Sequence, residues 1–158
     1  MKFRRIALRV CAALFLCMSI CYLYMSSLSP KDFPSVTGQV THCYTVFEEG
    51  VKYNHRPLYI ELVNFSHRFR LMDVYDDWFP MVQANLNSGD TITVYYRTAL
   101  QSIIGLGKRY DAYQVEKGEK LVFPFTATKK QHLFSFKVML FLSIFFFGLS
   151  FLIRENVR

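Results

Sequence analysis

The chain is most informative where charge is missing. No charged residue interrupts positions 10–28 or positions 138–153, and no acidic residue precedes Asp32. A helix that is hydrophobic all round has no face for water, so a small soluble domain does not accommodate two such stretches. Cysteine is also scarce where it would help a secreted domain. Cys11, Cys17 and Cys21 lie in or beside the first uncharged run, and only Cys43 lies between the two runs. One cysteine cannot close a disulfide within that middle region, which excludes a disulfide-stapled scaffold. The middle must therefore rest on its own core, for which about a hundred residues suffice. A Gly-x-Ser-x-Gly elbow is missing too. The four histidines, His42, His55, His67 and His132, are scattered without a zinc-ligand spacing. Gly105-Leu-Gly-Lys108 has its glycines too close together for a phosphate loop, and Arg109 stands where Ser or Thr is needed.

The uncharged runs read as two transmembrane helices. Residues 10–28 reach about 28 Å at ~1.5 Å per residue, close to the hydrocarbon thickness of a bilayer. A cleaved signal peptide has a shorter apolar core and a small-residue exit. Here the exit Ser27-Leu28-Ser29 runs into Pro30, and bulky Leu16 and Ile20 precede Cys17 and Cys21, which argues against lipid attachment. The second run extends back to Leu133 if Lys137 snorkels, giving a span over 133–153. Residues 1–9 form a basic tail and 154–158 a short second tail. Lys2, Arg4, Arg5 and Arg9 flank the first span, and Arg154 and Arg158 follow the second. Lys129, Lys130 and Lys137 argue mildly the other way, but the first span usually dominates. Both termini are accordingly expected in the cytoplasm of a bacterium, with the central domain outside the cytoplasmic (inner) membrane.

The net charge of +7 suggests nucleic acid until it is divided along the chain. Positions 29–132 hold twelve Lys/Arg and eleven Asp/Glu, so the excess belongs to the flanks of the spans. A nearly neutral domain lacks the basic footprint of a phosphate-backbone binder, and no nucleic-acid partner is expected.

Between a linker at 29–34 and another at 127–132, residues 35–126 read as a small β domain. Period-two alternation marks strands at 36–47, 57–65, 67–72 and 90–97, and two further strands are read at 110–116 and 120–125. In the first, Val36, Val40, Tyr44 and Val46 share a face, and Gly38 suggests a bulge or tight bend. Residues 48–56 read as a hairpin loop. Asp76 or Asp77 is placed to cap a helix with Pro80 in its first turn and Trp78, Met81, Val82 and Leu86 on one face. Asn64-Phe65-Ser66 spells a glycosylation sequon within a turn. Asp73, Asp76 and Asp77 lack the spacing and the glycine of a calcium loop. Cys43 reads as a structural cysteine rather than a catalytic thiol.

The element order, three strands, a helix, then two or three strands, matches a partly open Greek-key barrel of the oligonucleotide/oligosaccharide-binding (OB) type. A strongly bent antiparallel sheet with one helix is the alternative. Val36-x-Gly38-x-Val40 and Leu86-x-x-Gly89-Asp90-x-Ile92-x-Val94-x-Tyr96 carry a resemblance. The chain resembles uncharacterised bacterial two-span membrane proteins with a small extracytoplasmic β domain. That resemblance implies an architecture and no activity.

Two sets of residues are candidate contacts. Residues 99–109, read as a loop, carry Leu100, Ile103, Ile104 and Leu106 followed by Lys108 and Arg109. Exposed, Ile103, Ile104, Leu106, Lys108 and Arg109 would suit a lipid surface or a protein partner. Turned inward, the isoleucines would plug an open barrel end. Ala13, Cys17 and Cys21, four apart, form a small-residue stripe for helix packing, against the second span or against another subunit in a homo-oligomer. The expected function is a non-enzymatic, cofactor-free, membrane-anchored binding or accessory module, a subunit or assembly factor of an envelope complex. An immunity or inhibitor protein against a toxin is the rival reading, and a lipid- or cell-wall-acting enzyme a third.

Overall fold

The computed structural model describes residues 2–49 and 55–152. Most of the hairpin loop expected at 48–56 and the tail at 154–158 lie outside the described residues. The chain forms two compact units, one made of Met1–Ser27 with Lys129–Arg158 and the other of Leu28–Thr128.

The first unit is a pair of antiparallel helices, α1 (Lys2–Ser27) and the later part of α4 (Phe125–Leu152). Both are long and apolar enough to cross a membrane. Each is longer than its uncharged core, because Arg4, Arg5 and Arg9 and the lysines at 129, 130 and 137 are good helix formers that continue the helix. Phe15 stacks on Phe146 with centroids 5.5 Å apart, and Tyr22 meets His132 at 5.8 Å. The Ser143 hydroxyl donates to the Ala12 carbonyl at 2.8 Å. The Arg5 Nε–H donates to the Ser150 carbonyl at 3.0 Å.

The second unit is built on a six-stranded antiparallel sheet. Its strands are β1 (Ser35–Thr45), β2 (Leu58–Leu62), β3 (Phe69–Leu71), β4 (Thr91–Tyr96), β5 (Ala112–Lys117) and β6 (Lys120–Phe123), in the order β3-β2-β1-β4-β5-β6. An isolated parallel bridge between Arg70 and Asp111 joins the β3 edge to the segment leading into β5. A 3-10 helix (Asp73–Trp78) and α2 (Phe79–Asn85) follow β3, and α3 (Ala99–Ile104) lies between β4 and β5. The core gathers Val40, Leu58, Ile60, Leu62, Phe69, Leu71, Ile92, Val94, Val115 and Phe123 under Tyr75, Phe79, Val82 and Leu86. Each such side chain, fully buried, contributes roughly 1.5–3 kcal/mol.

Several expectations are corrected. Neither Asp76 nor Asp77 caps α2, because the 3-10 turn runs directly into it and its N-cap is Trp78. Phe79, not Met81, faces the core beside Val82 and Leu86. Residues 99–104 are helical rather than loop, started by a capping box in which the Gln101 N–H donates to Thr98 Oγ1 (3.1 Å) and the Thr98 N–H donates to Gln101 Oε1 (2.9 Å).

The largest correction concerns β1. Its first half pairs with β4 from Ser35 to Gln39, and its second half pairs with β2 from Val40 to Thr45. The register slips between Val40 and His42, so the irregularity lies beyond Gly38. Gly38 itself sits in regular register opposite Ile92, where a Cβ would lie 3.3 Å from the Leu62 side chain. One extra residue inverts the alternation that follows. Val36 and Val40 face the core as expected, but after the slip Cys43 packs against it and Tyr44 does not.

Candidate functional site

The slip in β1 sends His42 and Tyr44 to the outer side of the sheet, where they meet Tyr59 and Glu61 of β2. The Tyr44 hydroxyl donates to Glu61 Oε1 at 2.6 Å, and His42 Nδ1 lies 3.5 Å from Glu61 Oε2. The rings of Tyr44 and Tyr59 are 6.2 Å apart, and the Arg68 guanidinium sits 4.1 Å above the Tyr59 ring. The Tyr59 hydroxyl donates to Glu48. Burial and that bond push the Tyr59 phenol up to about 12, and the same bond together with neighbouring Lys108, Arg70 and Arg68 lowers the Glu48 carboxyl. The bond to Glu61 likewise raises Tyr44. Both phenols are therefore neutral donors at physiological pH. Beside them a concavity of about 500 Å³ is lined by Thr41, Glu61, Leu62, Phe65, His67 and Arg68. Its floor is stiffened by aromatic stacking of Phe65 on Phe69 (4.9 Å) and His67 on Tyr110 (4.4 Å). Planar rings, a stacked guanidinium and a carboxylate in one depression can hold a polar or peptide-like partner.

The segment from 97 to 111 is held by a buried charge cluster that the sequence reading did not find. Asp111 and Arg97 are both about 3 % exposed. The Arg70 Nε–H donates to Asp111 Oδ1 at 2.7 Å, the Lys108 backbone N–H donates to Asp111 Oδ2 at 2.8 Å, and Arg97 Nη1 lies 3.7 Å from the same oxygen. Arg97 also donates from Nε to the Tyr113 hydroxyl (3.1 Å) and from Nη1 to the Gly105 carbonyl (3.3 Å). Gly107 packs so closely on this group that a Cβ would fall 1.5 Å from Arg97 Nη1. Leu106 and Tyr110 adopt φ of 49° and 69°, a conformation costly for side chains and sustained by these bonds. Only the placement of Arg97 at a strand end and Asp111 before another hinted at a pairing.

The cluster orients the residues singled out from the sequence. Ile103 is 74 % exposed and Leu106 is 58 % exposed, with Leu100 beside them at 66 %. Ile103 is therefore too exposed to plug the sheet end, while Ile104 is half-buried. Lys108 and Arg109 are exposed; Lys108 Nζ lies 3.8 Å from Glu48, and the Arg109 guanidinium lies 4.9 Å from the centre of the Tyr110 ring.

The small-residue stripe is displaced from the helix contact of the first unit. Ala12, Phe15 and Tyr22 meet α4, whereas Ala13 and Cys17 are exposed and Cys21 is half-buried. Ala13 instead borders a groove of about 400 Å³ with Ala12, Leu16, Leu140, Ser143 and Ile144. The shift arises because the helix contact is set by Phe15 and Ser143, which the spacing of small residues does not weigh.

Cys43 is partly buried against the core, and desolvation pushes its thiol up to about 11. Among the described residues no group of three or more His, Cys, Asp or Glu is placed to hold a metal ion. Comparison with protein-family models, with curated proteins and with solved structures finds no match.

Proposed function

We propose that the chain is a membrane-anchored, non-enzymatic binding module. Its two apolar helices span the cytoplasmic membrane of a bacterium with both termini inside, and its β unit is presented at the outer face as a subunit or assembly factor of an envelope protein complex. The β unit is read as a barrel of the OB type. Supporting that reading are a long first strand paired on both sides, a helix between β3 and β4, and the parallel Arg70–Asp111 bridge that links the two ends of a five-strand set.

The observation that carries the binding role is the 500 Å³ concavity lined by Phe65, His67 and Arg68, with the Arg68 guanidinium laid over the buried Tyr59 ring and Tyr44 beside it. Its aromatic and arginine side chains are those enriched where proteins meet. A thiol enzyme fits poorly, because a Cys43 thiol held near 11 is not a nucleophile at neutral pH.

A photo-crosslinking residue in place of His67, with the full chain in its native membrane, tests the reading. A discrete protein adduct is expected, and Arg68→Glu should abolish it. A monomeric particle with no adduct in either case would refute the proposal. Protease protection of the β unit in sealed vesicles tests the topology separately.

A further inference from the structure

The exposed apolar residues of α3 lie beside the points where the chain enters and leaves the β unit. The chain enters this unit at Leu28 and leaves it at Thr128. Phe33, just past the entry, stacks on Tyr113 at 4.3 Å and meets Phe125, just before the exit, at 5.7 Å. The two junctions are thus side by side within the unit. α3 is fastened to the same place, because the Gln101 side-chain N–H donates to the Asp32 carbonyl at 2.9 Å. Asp32 follows Ser27, the last residue of α1, by five positions. No conformation of that link places Asp32 more than about 18 Å from the helix end.

Leu100 and Ile103 are three apart on one face of α3, and Leu106 follows with the positive φ that the Arg97–Asp111 cluster sustains. The buried Gln101 and Ser102 hold the opposite face, so the three apolar side chains point away from the protein. Lys31, Lys108 and Arg109 are exposed on the neighbouring segments and outnumber the nearby carboxylates, Asp32 beside Lys31 and Glu48 at 3.8 Å from Lys108. Three large apolar groups flanked by three cations match the interface of an anionic bilayer, with the apolar groups among the upper acyl chains and the cations at the headgroups.

We infer that α3 is a membrane-docking element: Leu100, Ile103 and Leu106 insert into the outer leaflet, and Lys31, Lys108 and Arg109 contact anionic lipid. Docking adds a third membrane attachment and fixes which face of the β unit is left open to partners. The inference rests on the spanning role proposed for α1 and α4 and goes beyond it.

The test uses the full chain in nanodiscs of phosphatidylcholine alone and of an equal mixture with phosphatidylglycerol. Single-cysteine variants carry a spin label at Ile103→Cys, at Ser88→Cys in the exposed turn before β4, or at the native Cys17. Collision with oxygen reports lipid, and collision with a water-soluble nickel chelate reports water. The expected result is an oxygen-to-nickel ratio several-fold higher at 103 than at 88, higher still in the anionic mixture. Lys108→Gln and Arg109→Gln should each lower the docked-to-undocked ratio in that mixture by about fivefold, and added salt should do the same. The emission of Trp78 verifies that each variant is folded. Nickel access at 103 equal to that at 88, with Cys17 still in lipid, would overturn docking and leave the anchor intact. Nickel access at Cys17 as well would overturn the anchor together with it. Shielding of 103 in native membranes but not in purified lipid would overturn lipid docking in favour of a protein occupant.

Discussion

Replacing Asp111 by Asn should cost the β unit about 3 kcal/mol. The substitution is nearly isosteric, so it removes a charge without opening a cavity. Asp111 is buried and faces two guanidinium groups, Arg70 at 2.7 Å and Arg97 at 3.7 Å. Breaking a buried pair typically costs about 3–5 kcal/mol, because the surviving charge is left without compensation. Two features place this site at the lower end. The Arg70 side chain keeps 14 % exposure and can turn toward water, and the Arg97 contact is long. Arg97, only 4 % exposed, cannot rehydrate in place. A loss of 3 kcal/mol lowers the folded-to-unfolded ratio by about two orders of magnitude. Urea unfolding of the full chain in detergent, followed by Trp78 emission, isolates this unit, since Trp78 is the only tryptophan and packs edge-on to Phe123. Arg97→Met combined with Asp111→Asn should be less damaging than the sum of the two, with a coupling of roughly 1–3 kcal/mol. A single-variant loss below about 0.5 kcal/mol, the range of an ordinary surface change, would refute the buried-cluster account. So would strict additivity.

Gly107→Ala should destabilise the same unit by roughly 1–3 kcal/mol, because its Cβ displaces Arg97 from the Gly105 carbonyl; unchanged urea unfolding would contradict the close approach. The Lys117 ammonium, 2.6 Å away, and the Asn87 backbone N–H hold the Asp90 carboxyl below its ordinary value. A carboxylate lowered on folding stabilises the folded chain above the unfolded value, about 3.9, and loses that contribution as pH falls through the lower folded value. Asp90→Asn should therefore flatten the acid limb of the stability profile, and an unaltered limb would count against the pair. Cys43 should react with iodoacetamide at neutral pH far more slowly in the folded chain than in urea, read by mass spectrometry; equal rates would show that its thiol is not desolvated.

The parts of this fold legible in the sequence are those governed by local pattern. Uncharged runs long enough to span a bilayer gave α1 and α4, though not their full length, which depends on flanking lysines and arginines that a hydropathy pattern discounts. Alternation located β1 to β4, whereas β5 is buried at four successive positions and carries no such pattern; Asn87-Ser-Gly-Asp90 marked the turn before β4, where Gly89 takes a φ of 89°. α3 escaped although its Thr98-x-x-Gln101 signature was present, because two adjacent isoleucines and two nearby glycines read as loop. The Asp111 cluster joins residues 41 and 14 positions apart (Arg70 and Arg97), and no local pattern encodes such pairs.

The slip in β1 links these observations to function. Read without it, Tyr44 belongs to the core and the outer face of β1 and β2 is unremarkable. One inserted residue between Val40 and His42 exchanges the two faces for the rest of the strand. Cys43 then faces the core, where desolvation suppresses its thiolate, and Tyr44 moves outward to meet Glu61 and Arg68. The same event thus removes the one candidate nucleophile of the β unit and assembles its aromatic–arginine face. Removing the inserted residue, for instance by deleting Thr41, should reverse both effects together. Iodoacetamide would then reach Cys43, and the adduct proposed for a crosslinker at His67 would be lost. Loss of only one of the two would show that the bulge does not couple them.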